Sequence, residues 1–384
     1  MRAARRPEPP SCRRQNEQHP RRGVTRVDRE TLLSEISLIE PPDRSWEDRA
    51  WERLDQLTKP PRSLGRLESL AAQLACIQKT VTPSARPAAV AVFAGDHGVT
   101  RRGVSAYPQE VTAQMVRNFA SGGAAINQIA RSAGADLVVY DVGVVSALDG
   151  VAGVAHSKVR AGTADMTEGP AMSVHEAVEA LGVGFGAVRD LVESRGTKVV
   201  AIGEMGIGNT TAASALGCAL VPAAASVMVG PGTGLDERGV ARKREVVEQA
   251  LRVNADRLDD PLEALAAVGG LEIAAMAGAV LGCARFGAVA LIDGFISTAA
   301  ALVAVRLRPE CVGNVVASHR SRERGHAVLL DALGVQPLLD LDLRLGEASG
   351  AALAIPLVDA ACAVIGGMAT FAEAGVSGAE ESYA

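Results

Sequence analysis

The sequence predicts an α/β fold: one open parallel sheet with helices on both faces, plus a small helical domain built from N- and C-terminal segments. Three observations predict it. Short β-branched runs alternate with Ala- and Leu-rich stretches from Ala88 onward, and 40 glycines supply tight turns between them. Hydrophobic residues make up 48% of the 384 and aromatics 3%, so the core must be aliphatic, as in buried parallel sheets.

Taken in chain order, residues 1–30 read as a disordered, Arg-rich extension. Arg2, Arg5, Arg6, Arg13, Arg14, Arg21, Arg22 and Arg26 stand among prolines, and no apolar segment follows them as a secretory signal would require. Residues 31–85 read as N-terminal helices of the small domain. Apolar residues recur at three and four spacing in LLSEISLI, WEDRAWERLDQL and SLGRLESLAAQLACI, and Pro60 and Pro61 force an extended break between the last two.

Residues 86–345 read as the large α/β catalytic domain. AAVAVFAG, ADLVVYDVG, TKVVAIGEMG, ASVMVGPG, AVALIDG and NVVASH have the length and composition of buried parallel strands. Helical stretches between them imply crossovers and a Rossmann-like, doubly wound sheet, whose ligands bind beyond the carboxyl ends of the strands. Those ends carry Asp96 and His97, Asp141, Glu204, Gly230 to Gly234, Asp293, and Ser318 with His319. Residues 346–384 return to Ala-rich helix and are expected to pack with the small domain.

Composition narrows the function. A formal net charge of −5 offers no long-range attraction to nucleic acid or to an anionic membrane surface. Six scattered cysteines, Cys12, Cys76, Cys218, Cys283, Cys311 and Cys362, form no CxxC pair and read as reduced core residues of a cytoplasmic protein. The best apolar run breaks at Asp293 and Gly294, short of the roughly 18 residues of a membrane helix.

Four segments carry chemistry. GEMGIGNTTAASAL (203–216) follows a strand and opens a helix, so its glycines let backbone N–H groups and the helix dipole meet a phosphate. Thr210 and Thr211 can cap that helix or donate to a phosphate; the bland alternative is a tight turn without a ligand. Its spacing is neither the dinucleotide fingerprint nor a Walker loop. Glu204 would repel a phosphate and should meet a hydroxyl or a cation. VGPGTGLDERGVARKREVV (229–247) offers a second anion nest around Gly232, with Lys243 as a point charge or an ordinary solvated cation.

FAGDHGVTRRGVSAYPQEVTAQM (93–115) sets Asp96 and His97 at a strand end. They fit a proton relay, a metal ligand pair or a capped turn, and no third ligand stands at regular spacing. LRLGEASGAALAIPLV (343–358) sets Glu347 in a glycine loop before a helix. There it is either a first-turn anion matched to the dipole or, facing the strand ends, a general base of raised pKa.

Together KPPRSLGRLE (59–68), FAGDHGVTRRGVSAYP (93–108), SGGAAIN (121–127), GEMGIGNTT (203–211), GPGTGLD (230–236), LIDGF (291–295) and RLGEASGA (344–351) resemble the nicotinate-nucleotide:dimethylbenzimidazole phosphoribosyltransferase family. The motifs keep the family's order from about residue 31 to about residue 376. The resemblance implies transfer of phosphoribose from nicotinate mononucleotide to 5,6-dimethylbenzimidazole. The products are α-ribazole 5′-phosphate and nicotinate, made in assembly of the cobalamin lower-ligand nucleotide loop. It implies Glu347 as the general base, with inversion at the anomeric carbon.

It also implies no metal and no cofactor, since nicotinate leaves as a neutral ring and the sequence has no acidic pair followed by a TGGT loop. Glu204 falls at the ribose and base edge as a second catalytic residue. Gly206 and Gly232 with Lys243 fall at the 5′-phosphate, joined by Gly208, Asn209 and Thr210 as substrate-binding residues. Tyr107, Gln114 and Asp293 fall around the acceptor base. The family's enzymes are homodimers with this two-part layout.

Three rivals follow from the residues alone. A Rossmann oxidoreductase would need a different glycine spacing. A nucleotide sensor would keep Gly206, Gly232 and Lys243 and have no use for Glu347. A metal hydrolase would assemble Asp96, His97, Asp141 and His319.

Overall fold

Apolar runs without polar alternation must be covered on both faces, and six such segments pair into one parallel sheet. They are β1 (Ala88–Gly95), β2 (Asp136–Gly143), β3 (Val154–His156), β4 (Val199–Met205), β5 (Val289–Ile292) and β6 (Val315–Ala317). The structure is a computed structural model that describes residues 27–377 apart from residue 233, so most of the Arg-rich head lies outside the described residues. Strand order is β3-β2-β1-β4-β5-β6, every pairing parallel. The chain winds outward from β1 to one edge, returns to β4, and winds to the other. That reversal makes a topological switch point between β1 and β4.

Fifteen α-helices accompany the strands among the described residues. Before β2 come α1 (Arg29–Ser37), α2 (Ser45–Gln56), α3 (Arg66–Gln78), α4 (Val111–Ser121) and α5 (Ala125–Ser132). Between β3 and β5 come α6 (Val174–Arg195), α7 (Asn209–Leu220), α8 (Ala225–Met228), α9 (Glu237–Val253), α10 (Pro261–Val268) and α11 (Leu271–Phe286). Then follow α12 (Phe295–Leu307), α13 (His326–Leu333), α14 (Ser349–Gly367) and α15 (Phe371–Ala374). Local chemistry sets several starts: Ser173 and Glu176 close a capping box on α6, Asp236 caps α9, and Asp260 with Pro261 opens α10.

One expected strand is absent. ASVMV folds as the single turn α8 before the glycine loop, and the sixth strand is the three-residue β3 instead. Four apolar residues fit a buried helical turn as well as a strand, and periodicity cannot separate the two.

The sheet divides two buried clusters by the period-two alternation of its side chains. Ala89, Ala91, Phe93, Val200 and Ile202 face α6, α7, α10, α11 and α12. Val90, Val92, Ala94, Val199 and Ala201 face the helices from both ends of the chain, α2, α3 and α14, with α4 and α5. Thr58 N–H donates to the Ala369 carbonyl at 3.1 Å, fastening the two ends together. On the other face α6 and α11 pack backbone to backbone: a Cβ on Gly184 would lie 1.7 Å from the Ala275 oxygen. Among the described residues α14 alone is long and apolar enough to cross a membrane, and half of it is buried inside the protein, as in a core helix.

Candidate active site

The carboxyl ends of β4, β5 and β6 open into a cleft beside the switch point. Glu204, Gly206, Asn209, Thr210, Gly232, Asp293 and Glu347 line it. Predicted residues from four separate stretches of chain therefore meet on one surface.

The turn after β4 is shaped by close approach. A Cβ on Gly206 would lie 2.4 Å from the Gly95 carbonyl oxygen, so β1 and β4 can end side by side only with glycine there. Gly208, at φ 95°, caps α7 and does not itself line the cleft. Asn209 follows and donates its side-chain amide to Glu204. Glu204 is buried, and that burial, then the charges of Glu272, Asp293 and Glu347, raises its carboxyl well above the usual range.

Lys243 is fully buried. Its ammonium donates to Thr210 Oγ1 at 2.7 Å and to the Gly230 carbonyl at 3.5 Å, and lies directly behind Gly232. Burial lowers it to about 8, opposed by the charge of Glu323. Neither hydrogen-bond partner carries a charge, so this is a desolvated cation awaiting an anion, with Thr210 and Gly232 between it and the cleft. The solvated-cation alternative is thereby removed.

Glu347 sits in an unusual turn. Gly346, Glu347 and Ala348 have φ of 85°, 62° and 61°, three consecutive left-handed residues of which two bear the steric cost of a Cβ. The turn is held by the Glu347 N–H, which donates to the Glu204 carbonyl, and by the start of α14. Glu347 Oε2 is buried without a hydrogen-bond partner. Burial raises the carboxyl to about 6, opposed by the Ile126 N–H in the first turn of α5.

Asp293 Oδ1 accepts the Gly350 and Ala351 N–H groups at 2.8 and 3.0 Å, anchoring α14 to the end of β5. Burial still lifts it to about 7. His319 Nδ1 stands 3.6 Å from the same oxygen, and burial lowers the imidazole to about 4, leaving it neutral at physiological pH. Tyr107 and Gln114 do not join this group. Tyr107 is 53% exposed on the loop before α4, Gln114 is exposed on α4, and neither lines the cleft.

The proposed hydrolase ligands are not assembled. His97 is engaged by Glu272 at 2.6 Å, Asp141 by Lys158 at 3.3 Å, and His319 by Asp293. Among the described residues no cluster of His, Cys, Asp and Glu is arranged to hold a metal ion. Sequence reasoning missed Glu272, which is fully buried in the first turn of α11; Gly269 and Gly270 just before it were the available signal. Arg344, Ser297 and Glu323 also line the cleft and carried no sequence signal beyond their neighbours.

A buried lysine and a buried carboxylate on one cleft, at the switch point of a parallel sheet, define an α/β enzyme for a small-molecule substrate. Comparison with known proteins makes the class specific. The phosphoribosyltransferase family model matches residues 39–376. A nicotinate-nucleotide–dimethylbenzimidazole phosphoribosyltransferase of Pseudomonas aeruginosa is 55% identical over 329 residues, 86% of this chain and 93% of that one. One from Pseudomonas savastanoi pv. phaseolicola is 52% identical over 345 residues, 90% and 97% of the two chains. The crystal structure of the Thermus thermophilus enzyme of that name superposes with a TM-score of 0.83 at 49% identity, covering 88% of this chain and all of that one. The chain belongs to the nicotinate-nucleotide–dimethylbenzimidazole phosphoribosyltransferase family.

Proposed function

We propose that this enzyme transfers phosphoribose from nicotinate mononucleotide to 5,6-dimethylbenzimidazole, with Glu347 as general base and inversion at the anomeric carbon. One observation carries the reading: a buried carboxylate with a free oxygen and a buried cation that forms no salt bridge among the described residues serve the same cleft. The cation suits the 5′-phosphate, through Thr210, Gly232 and the N-terminus of α7, with Gly206, Gly208 and Asn209 shaping that turn. The carboxylate, held near 6, is ionised at neutral pH yet basic enough to take an azole proton.

In this scheme the benzimidazole nitrogen attacks the anomeric carbon as its N–H proton passes to Glu347. The carbon–pyridinium bond breaks with its electron pair going to the ring, so nicotinate departs neutral at its nitrogen. Attack from the face opposite the leaving ring gives the α-linked product. Glu204, its carboxyl raised by burial and then by the charges of Glu272, Asp293 and Glu347, lines the cleft where it can hydrogen-bond a ribose hydroxyl. Asp293 holds α14, and so Glu347, at the acceptor side. The exposed Tyr107 and Gln114 remain candidates for acceptor contacts made on closure around the base.

A cytoplasmic homodimer is the assembly that goes with this reading. Leu353, Pro356 and Ala363 are exposed along one stripe of the apolar helix α14, which suits burial against a second copy. Sedimentation velocity tests it: a single species of twice the chain mass is expected. The reaction is tested by incubating the purified protein with nicotinate mononucleotide and dimethylbenzimidazole. Nicotinate and α-ribazole 5′-phosphate should appear together, and no nicotinate release with any azole would overturn the reading.

A further inference from the structure

Two histidines follow β6, and they spend their nitrogens differently. His326 is fully buried at the start of α13. Its Nδ1 accepts the Ser321 N–H at 2.8 Å, and its Nε2 stands 2.9 Å from Thr298 Oγ1, which itself donates to the Gly294 carbonyl at 2.9 Å. Both nitrogens of His326 therefore serve the fold, fixing Ser321 and Gly294 in the cleft wall.

His319 is only 2% exposed, yet one nitrogen alone serves the fold. Burial holds the imidazole near 4, so the ring is neutral and carries a single N–H. Ser318 Oγ gives its proton to the Asp293 carbonyl at 3.2 Å, so toward His319 Nδ1, 3.1 Å away, it can only accept. The ring proton is thus on Nδ1, which also faces Asp293 Oδ1 at 3.6 Å. Nε2 keeps its lone pair and has no hydrogen-bond partner among the described residues. The Nδ1 edge is wedged against Gly350, where a Cβ would lie 2.0 Å from Nδ1. The opposite edge lies toward Gly294, where a Cβ would meet Cε1 at 3.4 Å and Nε2 at 3.5 Å. Gly294 and His319 line the cleft and Gly350 does not, so the lone pair is presented to the cleft. An acceptor withdrawn from water without a partner costs stability until a ligand supplies the hydrogen.

We propose that His319 is a specificity-determining residue whose Nε2 accepts a hydrogen bond from a ribose hydroxyl of the nucleotide. The proposal rests on the phosphoribosyl-transfer reading above. Elimination selects the hydroxyl. At neutral pH nicotinate mononucleotide offers carboxylate and phosphate oxygens that accept, and a pyridinium nitrogen that bears no hydrogen; only its 2′- and 3′-hydroxyls can donate. The N–H of dimethylbenzimidazole goes to Glu347 in the scheme. The sugar must also span the cleft between the phosphate turn at Gly232 and Glu347, and His319 belongs to that same lining.

Asparagine can replace the Nδ1–H of a histidine and glutamine can reach its Nε2 position, so a purely structural His319 is better replaced by asparagine and a substrate-binding one by glutamine. H319N should lose about tenfold in kcat/KM for nicotinate mononucleotide, and H319Q should lose less. Of the 2′-deoxy and 3′-deoxy nucleotides, the one lacking the bonded hydroxyl should be about tenfold poorer for the wild type and suffer no further loss in H319N, while the other suffers the full loss. Side-chain nitrogen-15 NMR of the full chain, with His319 assigned by its loss in the variants, should show an unprotonated Nε2 that moves on addition of nicotinate mononucleotide and not of that deoxy nucleotide. A folded H319N with wild-type kcat/KM or more active than H319Q, equal loss in H319N with both deoxy nucleotides, or an Nε2 signal indifferent to the nucleotide would overturn the proposal. If H319N does not fold, the wild-type NMR response to the three nucleotides decides. If the wild-type enzyme made no ribotide the transfer reading would fail instead, and the NMR arm would still report on the contact.

Discussion

The Glu347 N–H donates to the Glu204 carbonyl oxygen at 3.2 Å, so these two glutamates of the cleft lining are fastened through one backbone hydrogen bond. The link joins the end of β4 to the left-handed turn before α14, segments far apart in the chain. It also explains why Gly203 and Gly346 stand beside it. A Cβ on Gly203 would lie 2.1 Å from Ala348 N, and one on Gly346 would lie 2.5 Å from Glu204 Oε1. The geometry of the proposed base is set by strand-to-turn packing, and the proposed chemistry would inherit that precision.

Gly203→Ala should therefore act on catalysis from within the strand. The added methyl must push the Ala348 backbone away and carry Glu347 with it. We expect a loss of about 1–3 kcal/mol in stability and about a hundredfold in kcat, with the affinity for nicotinate mononucleotide nearly intact. Denaturant melts and steady-state kinetics of the same preparation check both.

Lys243→Met separates binding from folding. With its cation buried and unpaired, Lys243 lies near 8 against an ordinary 10.5, so the fold favours the neutral amine. The penalty is fully present below about 8 and is relieved as pH rises toward 10.5, which makes stability rise with pH across that window. The ligand-free Met variant should lack this rise, a difference of about 3 kcal/mol between the two pH limits. Calorimetric titration should show that it no longer binds nicotinate mononucleotide, and that wild-type affinity weakens above about pH 8.

Gly184→Ala tests the scaffold alone. Its Cβ would fall 1.7 Å from the Ala275 oxygen, forcing apart α6 and α11 at a contact that does not line the cleft. We expect a loss of about 1–3 kcal/mol by denaturant melt with kcat unchanged at temperatures where the protein stays folded.

The fold was largely legible because a parallel sheet writes itself as uninterrupted aliphatic runs. Ala88–Gly95 and Val199–Met205 could be read directly from that texture. Val154–His156 could not, because three residues carry no period, and ASVM was misread because a single apolar turn, here buried through Met228 beside Gly217 of α7, looks like a short strand. In the site, Glu204, Thr210, Gly232 and Glu347 stand in glycine turns at element ends, where loops advertise chemistry. Lys243 was visible only through its neighbour turn, since its burial is a tertiary property. Glu272 was hidden for the opposite reason: it sits at the head of an apolar helix, where a first-turn carboxylate is ordinary. Tyr107 and Gln114 came from resemblance alone, and both are exposed, outside the cleft lining.

The most direct test of Glu347 as the base is the ratio of wild-type to E347Q turnover across pH, which cancels the titration of the substrates. The carboxyl near 6 predicts a ratio above about a hundredfold at pH 8 that falls as pH drops through 6, with nicotinate mononucleotide affinity equal in the two proteins. A ratio near one, or one that does not change with pH, would contradict the assignment.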